Sequence, residues 1–424
     1  MTAKSLLDKL FRTAIAAAHP SSCLPQYLPP PPKTGRLIVL AAGKAAGSMA
    51  EVAEAAYQRL GDRLTGVAVA RQGYGRPTKI IPMIEAGHPI PTAAGLEAAE
   101  QSLKLAASAG PDDLVLVLLS GGASANWIAP AEGLSLADKQ AVTRALLRSG
   151  ANIGEINTVR KHLSRIKGGR LARQAQRARV ITLAISDVPG DDPAVIGSGP
   201  SVPDPTTLVD ARAIVARYKL ELPDAVTRAL NDPKNESPKP TDPAFAKTEF
   251  KLIARPADAF RAAEREVQML GYEPVMLGDR IEGEARDVAT EHAVRALALQ
   301  KSGRRAVILS GGELTVTIRG KGRGGPNQEY ALALAAALKG APGIAALAGD
   351  TDSTDGGAGS ADDPAGAWID PTTLDRAHSL GLDPAHFLSD NDSTGFFARL
   401  GDLVETGPTW TNVNDFRAIV VDRL

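Results

Sequence analysis

Apolar residues between Arg36 and Ser186 recur in two alternating rhythms. Arg36 to Ala42, Thr65 to Ala70, Lys79 to Ala86, Asp113 to Leu119 and Arg179 to Ser186 are short β-rich runs and read as strands. Ala45 to Leu60, Thr92 to Ala109, Leu136 to Ser149 and Asn157 to Gln174 carry helical spacing between them. This alternation is the signature of a parallel sheet covered by helices on both faces. Asn231 to Lys247 (NDPKNESPKPTDPAFAK) holds four prolines among polar residues and sustains neither a helix nor a central strand, so the domain boundary is placed there, giving domains 1–240 and 241–424. The alternation then resumes, with strands at Glu249 to Ala254, Glu273 to Leu277, Arg305 to Leu309 and Ile344 to Ala348, and helices starting near Pro256, Gly283 and Pro326. Leu314 to Arg319 (LTVTIR) alternates β-formers after a turn and predicts a hairpin in the second domain. The expected fold class is α/β: two domains, each a mainly parallel, Rossmann-like sheet flanked by helices.

Length agrees with that division, because 424 residues exceed what one core ordinarily spans. With 48 basic and 48 acidic residues, nothing points to a nucleic-acid partner. The single cysteine, Cys23, excludes an intramolecular disulfide and a Cys-rich zinc site, and the histidines have no paired-ligand spacing. A reducing cytoplasm is the expected location, and no apolar stretch approaches the ~20 residues that cross a bilayer. Near the N-terminus Leu6, Leu7, Leu10, Phe11 and Ile15 recur at helical spacing with charge among them, which predicts an amphipathic surface helix rather than a signal peptide. Pro29 to Pro32 reads as a polyproline II connector.

Candidate chemistry concentrates where strands end, the place at which open α/β sheets bind ligands. Lys44, between Gly43 and Gly47 in AAGKAAG, follows a strand and precedes a helix; a cation there opposes the helix dipole and calls for an anion. Ser120, Gly121 and Gly122 offer a glycine-permitted nest of N–H groups, and Ser310, Gly311 and Gly312 echo them in the second domain. Together with Gly43 and Asn327 these are the candidate nucleotide-binding positions. No GxxxxGK[ST] and no GxGxxG directly after a strand is present, so neither a Walker-type site nor an ordinary dinucleotide turn is supported. Asp187, closing the strand VITLAIS, suits Mg²⁺ or a reacting hydroxyl, with Asp192 and Asp350 as further metal candidates; Asp in such loops is more commonly a turn or cap carboxylate. The second domain's KGRGGPNQEYALALAAAL places Lys321 and Arg323 on a flexible glycine loop entering a helix, an arrangement suited to clamping polyphosphate. Gly349 to Gly357 reads as a polar active-site loop and lacks the terminal Glu of a calcium loop. NTVRKHLSRIKGG brings Arg160, Lys161, Arg165 and Lys167 close together, with Asn157, Lys161 and Arg165 on one helical face, although such basic stretches are ordinarily solvated. His88 in EAGHPIP, with Arg160 and Lys161, is a candidate for binding a substrate acid.

AAGKAAG, EAGHPIP, LLSGGASAN, NTVRKHLSRIKGG, SDVPGDDPAVIGSGP, SGGE, GRGGPNQEYAL and AGDTDSTDGG, in that order over nearly the whole chain, resemble the glycerate 2-kinase family. The resemblance implies an N-terminal glycerate-kinase-type domain, a C-terminal MOFRL-type domain and an active-site cleft between them. It implies transfer of the ATP γ-phosphoryl group to D-glycerate, typically giving 2-phosphoglycerate, with Mg²⁺ required. Carried over by motif, it implies catalytic roles for Lys44 and Arg323, while Asp187 as base or metal ligand rests on the strand-exit argument. The expected partners are glycerate and ATP, with no nucleic acid and no membrane, in a monomer or homodimer. Members of the family have also carried the label hydroxypyruvate reductase, which requires a nicotinamide site; a non-catalytic sugar-phosphate sensor is the third reading. Physics does not choose between the 2- and 3-hydroxyl, and only the resemblance points to position 2.

Overall fold

The computed structural model describes residues 2–357 and 359–423. They form two units. One comprises Pro20–Ile253, and the other joins the N-terminal residues up to His19 to everything from Ala254 onward. The division differs from the expected 240/241 boundary in two ways. The proline-rich stretch lies inside the first unit and feeds its edge strand, and the N-terminal helix belongs to the second unit.

The first unit is built on a six-stranded sheet in the order β3-β2-β1-β4-β5-β6. Its strands are β1 (Leu37–Ala42), β2 (Leu64–Arg71), β3 (Met83–Ala86), β4 (Leu114–Leu119), β5 (Arg179–Ile185) and β6 (Thr248–Ala254). Pairings from β3 through β5 are parallel, with Ala42 level with Leu119 and Leu119 level with Ala184. Side chains of β1 and β4 are buried at every position, as strands covered on both faces require. The parallel register brings the carboxyl ends of β1, β4 and β5 to one edge, so the loops after them become neighbours. A second apolar cluster lies beside the sheet. Val142 and Leu146, Ile156 and Val159, and Leu208 and Ala211 pack three helices together, Leu136–Arg148, Ile153–His162 and Leu208–Arg217.

The helix predicted over Asn157 to Gln174 is two helices, Ile153–His162 and Arg170–Gln174. Gly168 and Gly169 interrupt it with φ of 58° and 80°, and their N–H groups bond Ser198 and Gly199 carbonyls instead of continuing the helix. Arg165 therefore lies beyond the helix end, paired with Glu100, and does not share a face with Asn157 and Lys161.

The second unit also has a six-stranded sheet, ordered β11-β10-β9-β12-β8-β7. Its strands are β7 (Glu273–Glu284), β8 (Ala306–Thr315), β9 (Ile344–Asp350), β10 (Gly366–Ile369), β11 (Leu403–Val404) and β12 (Asp415–Val421). It is mixed rather than mainly parallel. Strand β12 lies antiparallel between β8 and β9, β10 is antiparallel to both its neighbours, and β7 and β8 are parallel. The expected hairpin at Leu314 to Arg319 is absent, because β8 runs unbroken through Ser310, Gly311 and Gly312 to Thr315. Those residues are mid-strand. Gly312 is level with Asp415 on one side and Ile281 on the other, and a side chain at Gly311 would collide with Phe260.

The amphipathic spacing near the N-terminus does form a helix, Ala3–Ala18, begun by Thr2 accepting the Ser5 N–H. It buries Leu6, Leu7, Leu10 and Phe11 against the helix Pro256–Met269 and strands β9 and β12. Phe11 and Phe260 both pack on Phe416, with ring centroids 5.9 and 5.4 Å away. No helix among the described residues is long and apolar enough to cross a membrane. Truncating a fully buried Phe costs ~3–5 kcal/mol. Phe11→Ala should therefore lower hydrogen-exchange protection of the β9 and β12 amides while β1 and β4 keep theirs. The reverse pattern would return the N-terminal helix to the first unit.

Candidate functional site

At the carboxyl edge of the first sheet, Gly43 is held by two features. Its φ is +116°, and a Cβ there would collide with the backbone oxygen and Oγ of Ser120. The β1 and β4 exits consequently lock together: Lys44 N–H donates to the Gly121 carbonyl at 2.8 Å, and Ala45 N–H to Ser120 Oγ at 2.9 Å. The helix begins only at Ala46, so Lys44 stands on the turn before it. Gly122 adopts φ +84°, and a Cβ built on it would lie 3.0 Å from Lys44 Cγ, 3.3 Å from His88 Cδ2 and 3.4 Å from His88 Nε2. Lys44, His88 and Gly122, far apart in sequence, thus meet in a half-buried patch, and only glycine leaves room between the two side chains.

Immediately beyond Gly122 stands a cationic cluster. The Ser124 carbonyl accepts from Arg160 at 2.9 Å and from Lys167 Nζ at 3.0 Å, and Lys139 Nζ donates to the Arg160 carbonyl at 3.3 Å. Lys139 is 4% exposed and Lys167 1%, so the expectation of a solvated basic face does not hold here. Burial, with Arg160 and Arg170 nearby, pushes Lys139 down to about 7. Burial, Arg160 and Lys139 together push Lys167 well below the usual lysine range. Lys161 differs from them, being paired at 3.5 Å with the buried Asp204. Burial works against ionising Asp204, but Lys161 and hydrogen bonds from Thr206 outweigh it and hold its carboxyl below the usual range. The sequence pattern groups Lys167 with Arg160, Lys161 and Arg165 without giving it a role, and passes over Lys139. The signal for Lys139 is its spacing with Val142 and Leu146, which puts it on the buried face of its helix.

Asp187, half-buried, follows β5 at the same edge. Asp192 accepts the Ala194 N–H at 2.9 Å, as a turn carboxylate does. Its neighbour Asp191, at φ +59°, has a buried carboxylate oxygen without a hydrogen-bond partner.

In the second unit the Lys321 and Arg323 loop is pinned rather than flexible. Arg319 and Gly320 N–H donate to Asn391 Oδ1, Lys321 N–H to Asp390, and Arg323 N–H to Asp392. The Arg323 side chain, 67% exposed, projects from this frame with Asp363 at 3.4 Å. Asp350, at the end of β9, accepts the Asp352 N–H. Asn327 is buried and donates its amide to Asp355 and Asp415. Asp355 also caps the helix Pro326–Leu338 by accepting the N–H groups of Asn327 and Gln328 at 2.9 and 2.7 Å. Burial pushes Asp355 up to about 7; those hydrogen bonds oppose the shift and Asp415 adds to it.

Comparison with known proteins places the whole chain among relatives. A family model described as a domain of unknown function (DUF4147) matches residues 6–231, and the MOFRL family model matches residues 306–415. A protein of Agrobacterium vitis, provisionally named hydroxypyruvate reductase, is 47% identical over 99% of this chain and 95% of its own. The D-glycerate 2-kinase of Thermotoga maritima is 37% identical over 97% of each chain. The crystal structure of a glycerate kinase from the same organism superposes with a TM-score of 0.86 at 36% identity, covering 99% of both chains.

The Asp355 shift has a stability consequence. Burial raises its folded pKa to about 7, above the ordinary carboxylate range of the unfolded chain, so its contribution is fully present below that range and is lost as pH rises through about 7. Urea unfolding of the parental protein should therefore show a component of stability that declines over this window and is missing in Asp355→Asn. Identical pH dependence in the two proteins would mean that Asp355 is ionised throughout.

Proposed function

Given that the chain belongs to the glycerate 2-kinase family, we propose that it transfers the γ-phosphoryl group of ATP to the 2-hydroxyl of D-glycerate. The observation that carries this reading is the meeting of Lys44 and His88 over Gly122 at the carboxyl ends of a parallel sheet, beside buried cations. Phosphoryl transfer asks a protein chiefly for positioning and for positive charge, because negative charge spreads over the equatorial oxygens as the bond to the leaving group breaks. Lys44 and the Gly121 and Gly122 turn are suited to the nucleotide phosphates, while His88, Arg160 and Lys161 are assigned to the acceptor. Arg323, displayed outward from a pinned loop, is assigned a charge-stabilising role, since an arginine so used is worth on the order of 10³–10⁵ in turnover.

The residues at the β5 exit fit Mg²⁺. A nucleotide-bound Mg²⁺ ordinarily takes only one or two carboxylates and completes its shell with phosphate and water. Asp187 stands at the strand end, and the unpartnered buried oxygen of Asp191 is a ligand in want of a cation, which makes Asp191 a better candidate than the turn-bonded Asp192. Asp187 and Asp191 would hold the ion, which when bound would supply positive charge against the charge that develops in phosphoryl transfer. Asp187 would also stand ready to accept the acceptor hydroxyl's proton.

The provisional reductase name of a close relative supports a second reading, hydride transfer from a nicotinamide cofactor to hydroxypyruvate. The strand order β3-β2-β1-β4-β5-β6 is one that dinucleotide-binding folds use, so topology does not separate the two. Site chemistry does favour the kinase. The turn after β1, read from Gly43, has Ala45 and Ser48 where a GxGxxG dinucleotide turn has its second and third glycines, and it carries the cation Lys44. The end of β2, where an acidic residue would take an NAD ribose, is Arg71, and that arginine is buried over the Tyr74 ring rather than displayed for an NADP 2′-phosphate.

Purified protein should release ADP only when glycerate, ATP and Mg²⁺ are all present, and phosphorus NMR should identify 2-phosphoglycerate. Asp187→Asn should keep the fold and lose most turnover. NADH consumption with hydroxypyruvate, without glycerate-dependent ADP release, would replace the kinase by the reductase. A 3-phosphoglycerate product would keep the kinase and move the transfer position.

A further inference from the structure

The buried and half-buried basic groups of the first unit are compensated unevenly. Lys161 has Asp204, His162 has Glu236, Arg165 has Glu100, and Arg173 approaches Asp242. Arg170 is held by the backbone carbonyls of Lys161, Lys167 and Asn235. Lys139, Arg160 and Lys167 face this same group from two helices and the segment that follows, yet among the described residues none of them pairs with a carboxylate. Two of them share one carbonyl oxygen, that of Ser124. A carbonyl dipole does not balance two cations, and burying an ion without a counter-ion is among the most costly arrangements a fold can hold. The burial is also graded. Lys139 and Lys167 are covered, whereas Arg160, Ser124 and Gly122 are half-exposed, and Gly122, two residues before Ser124, borders Lys44 and His88.

We propose that Lys139, Arg160 and Lys167 form the receptor for the acid group of the acceptor, so that the enzyme takes small α-hydroxy carboxylates and refuses neutral polyols of the same size. This rests on the kinase reading, which assigned the acceptor to His88, Arg160 and Lys161, and revises it: Arg160 keeps the acid group, and Lys139 and Lys167 join it in place of Lys161. Lys161, already neutralised by Asp204, serves the cluster's architecture more than its free charge. Ligand binding then completes the electrostatics of the fold, because the carboxylate is the missing counter-ion. The free protein relieves the strain by letting a lysine shed its proton, as the depressed Lys139 and Lys167 indicate. A bound carboxylate reverses that shift, so the acid binds together with a proton.

The test is calorimetric titration of the full chain with glycerate at about pH 8, in two buffers of different ionisation enthalpy, which counts protons exchanged with solvent. Net proton uptake is expected, with no measurable binding of glycerol. Lys167→Met should melt at the same or a higher temperature without ligand, since an apolar side chain replaces a buried amine that is costly to ionise there. It should bind glycerate about thirtyfold or more weakly and take up fewer protons. Lys139→Met is read in the same way and decides the matter if Lys167→Met does not fold. Parental glycerate affinity and proton uptake in the folded variants would overturn the proposal. If the parental chain binds hydroxypyruvate but not glycerate, and the variants lose that binding, the acceptor assignment falls while the receptor stands.

Discussion

Two cations donating to a single carbonyl oxygen, Arg160 and Lys167 on Ser124, set the terms for the rest of the first unit. The arrangement depends on everything that holds it. Ser124 is placed by the left-handed turn at Gly122, which is placed by β4. Arg160 is carried by a helix anchored through Ile156 and Val159 to a separate apolar cluster, and Lys167 stands where Gly168 and Gly169 have broken the helix. A site rich in one sign of charge is stable only while its scaffold is rigid enough to prevent the cations from swinging into water. Two independent cores, the sheet and the helical cluster beside it, supply that rigidity.

The second unit treats charge in the opposite way. Asp355, Asp415, Asn327 and Arg417 lie buried together, and each carboxylate is met by donors: the amides at a helix start for Asp355, and Asn327 and Arg417 for Asp415. These groups tie loop 350–357 to the start of the helix at Pro326, and residues 390–392 hold the loop bearing Arg323 from its other side. Acidic residues that look like metal ligands in sequence are here largely holding backbone in place, and Arg323 is the group that this framework leaves displayed.

Much of this was legible in the sequence, and the gaps have physical causes. The strands of the first sheet announced themselves because both faces are buried, which leaves continuous apolar runs. Their exits named Lys44, Ser120 to Gly122 and Asp187 correctly as strand-end residues. Ser310 to Gly312 carries the same letters but lies within a strand, since a Ser-Gly-Gly sequence does not say whether a partner strand continues alongside it. Strand β12, a short apolar run near the C-terminus, gave no sign that it would insert between β8 and β9 and make the sheet mixed. The N-terminal helix was visible from its periodicity, but periodicity does not reveal which core its apolar face covers. The basic stretch after Asn157 was read as solvated because burial of cations is a tertiary property, decided by helices that sequence alone did not bring together.

The central claim is that the lysines at the sheet edge lack a counter-ion until the acceptor acid supplies one. The most direct test is to follow the individual side-chain amines of isotopically labelled lysines by NMR across a pH titration, with and without glycerate. In the free protein Lys139 is expected to titrate near 7 and Lys167 well below the usual lysine range, and glycerate should return both toward that range. Both amines titrating in the ordinary lysine range, unmoved by glycerate, would contradict it.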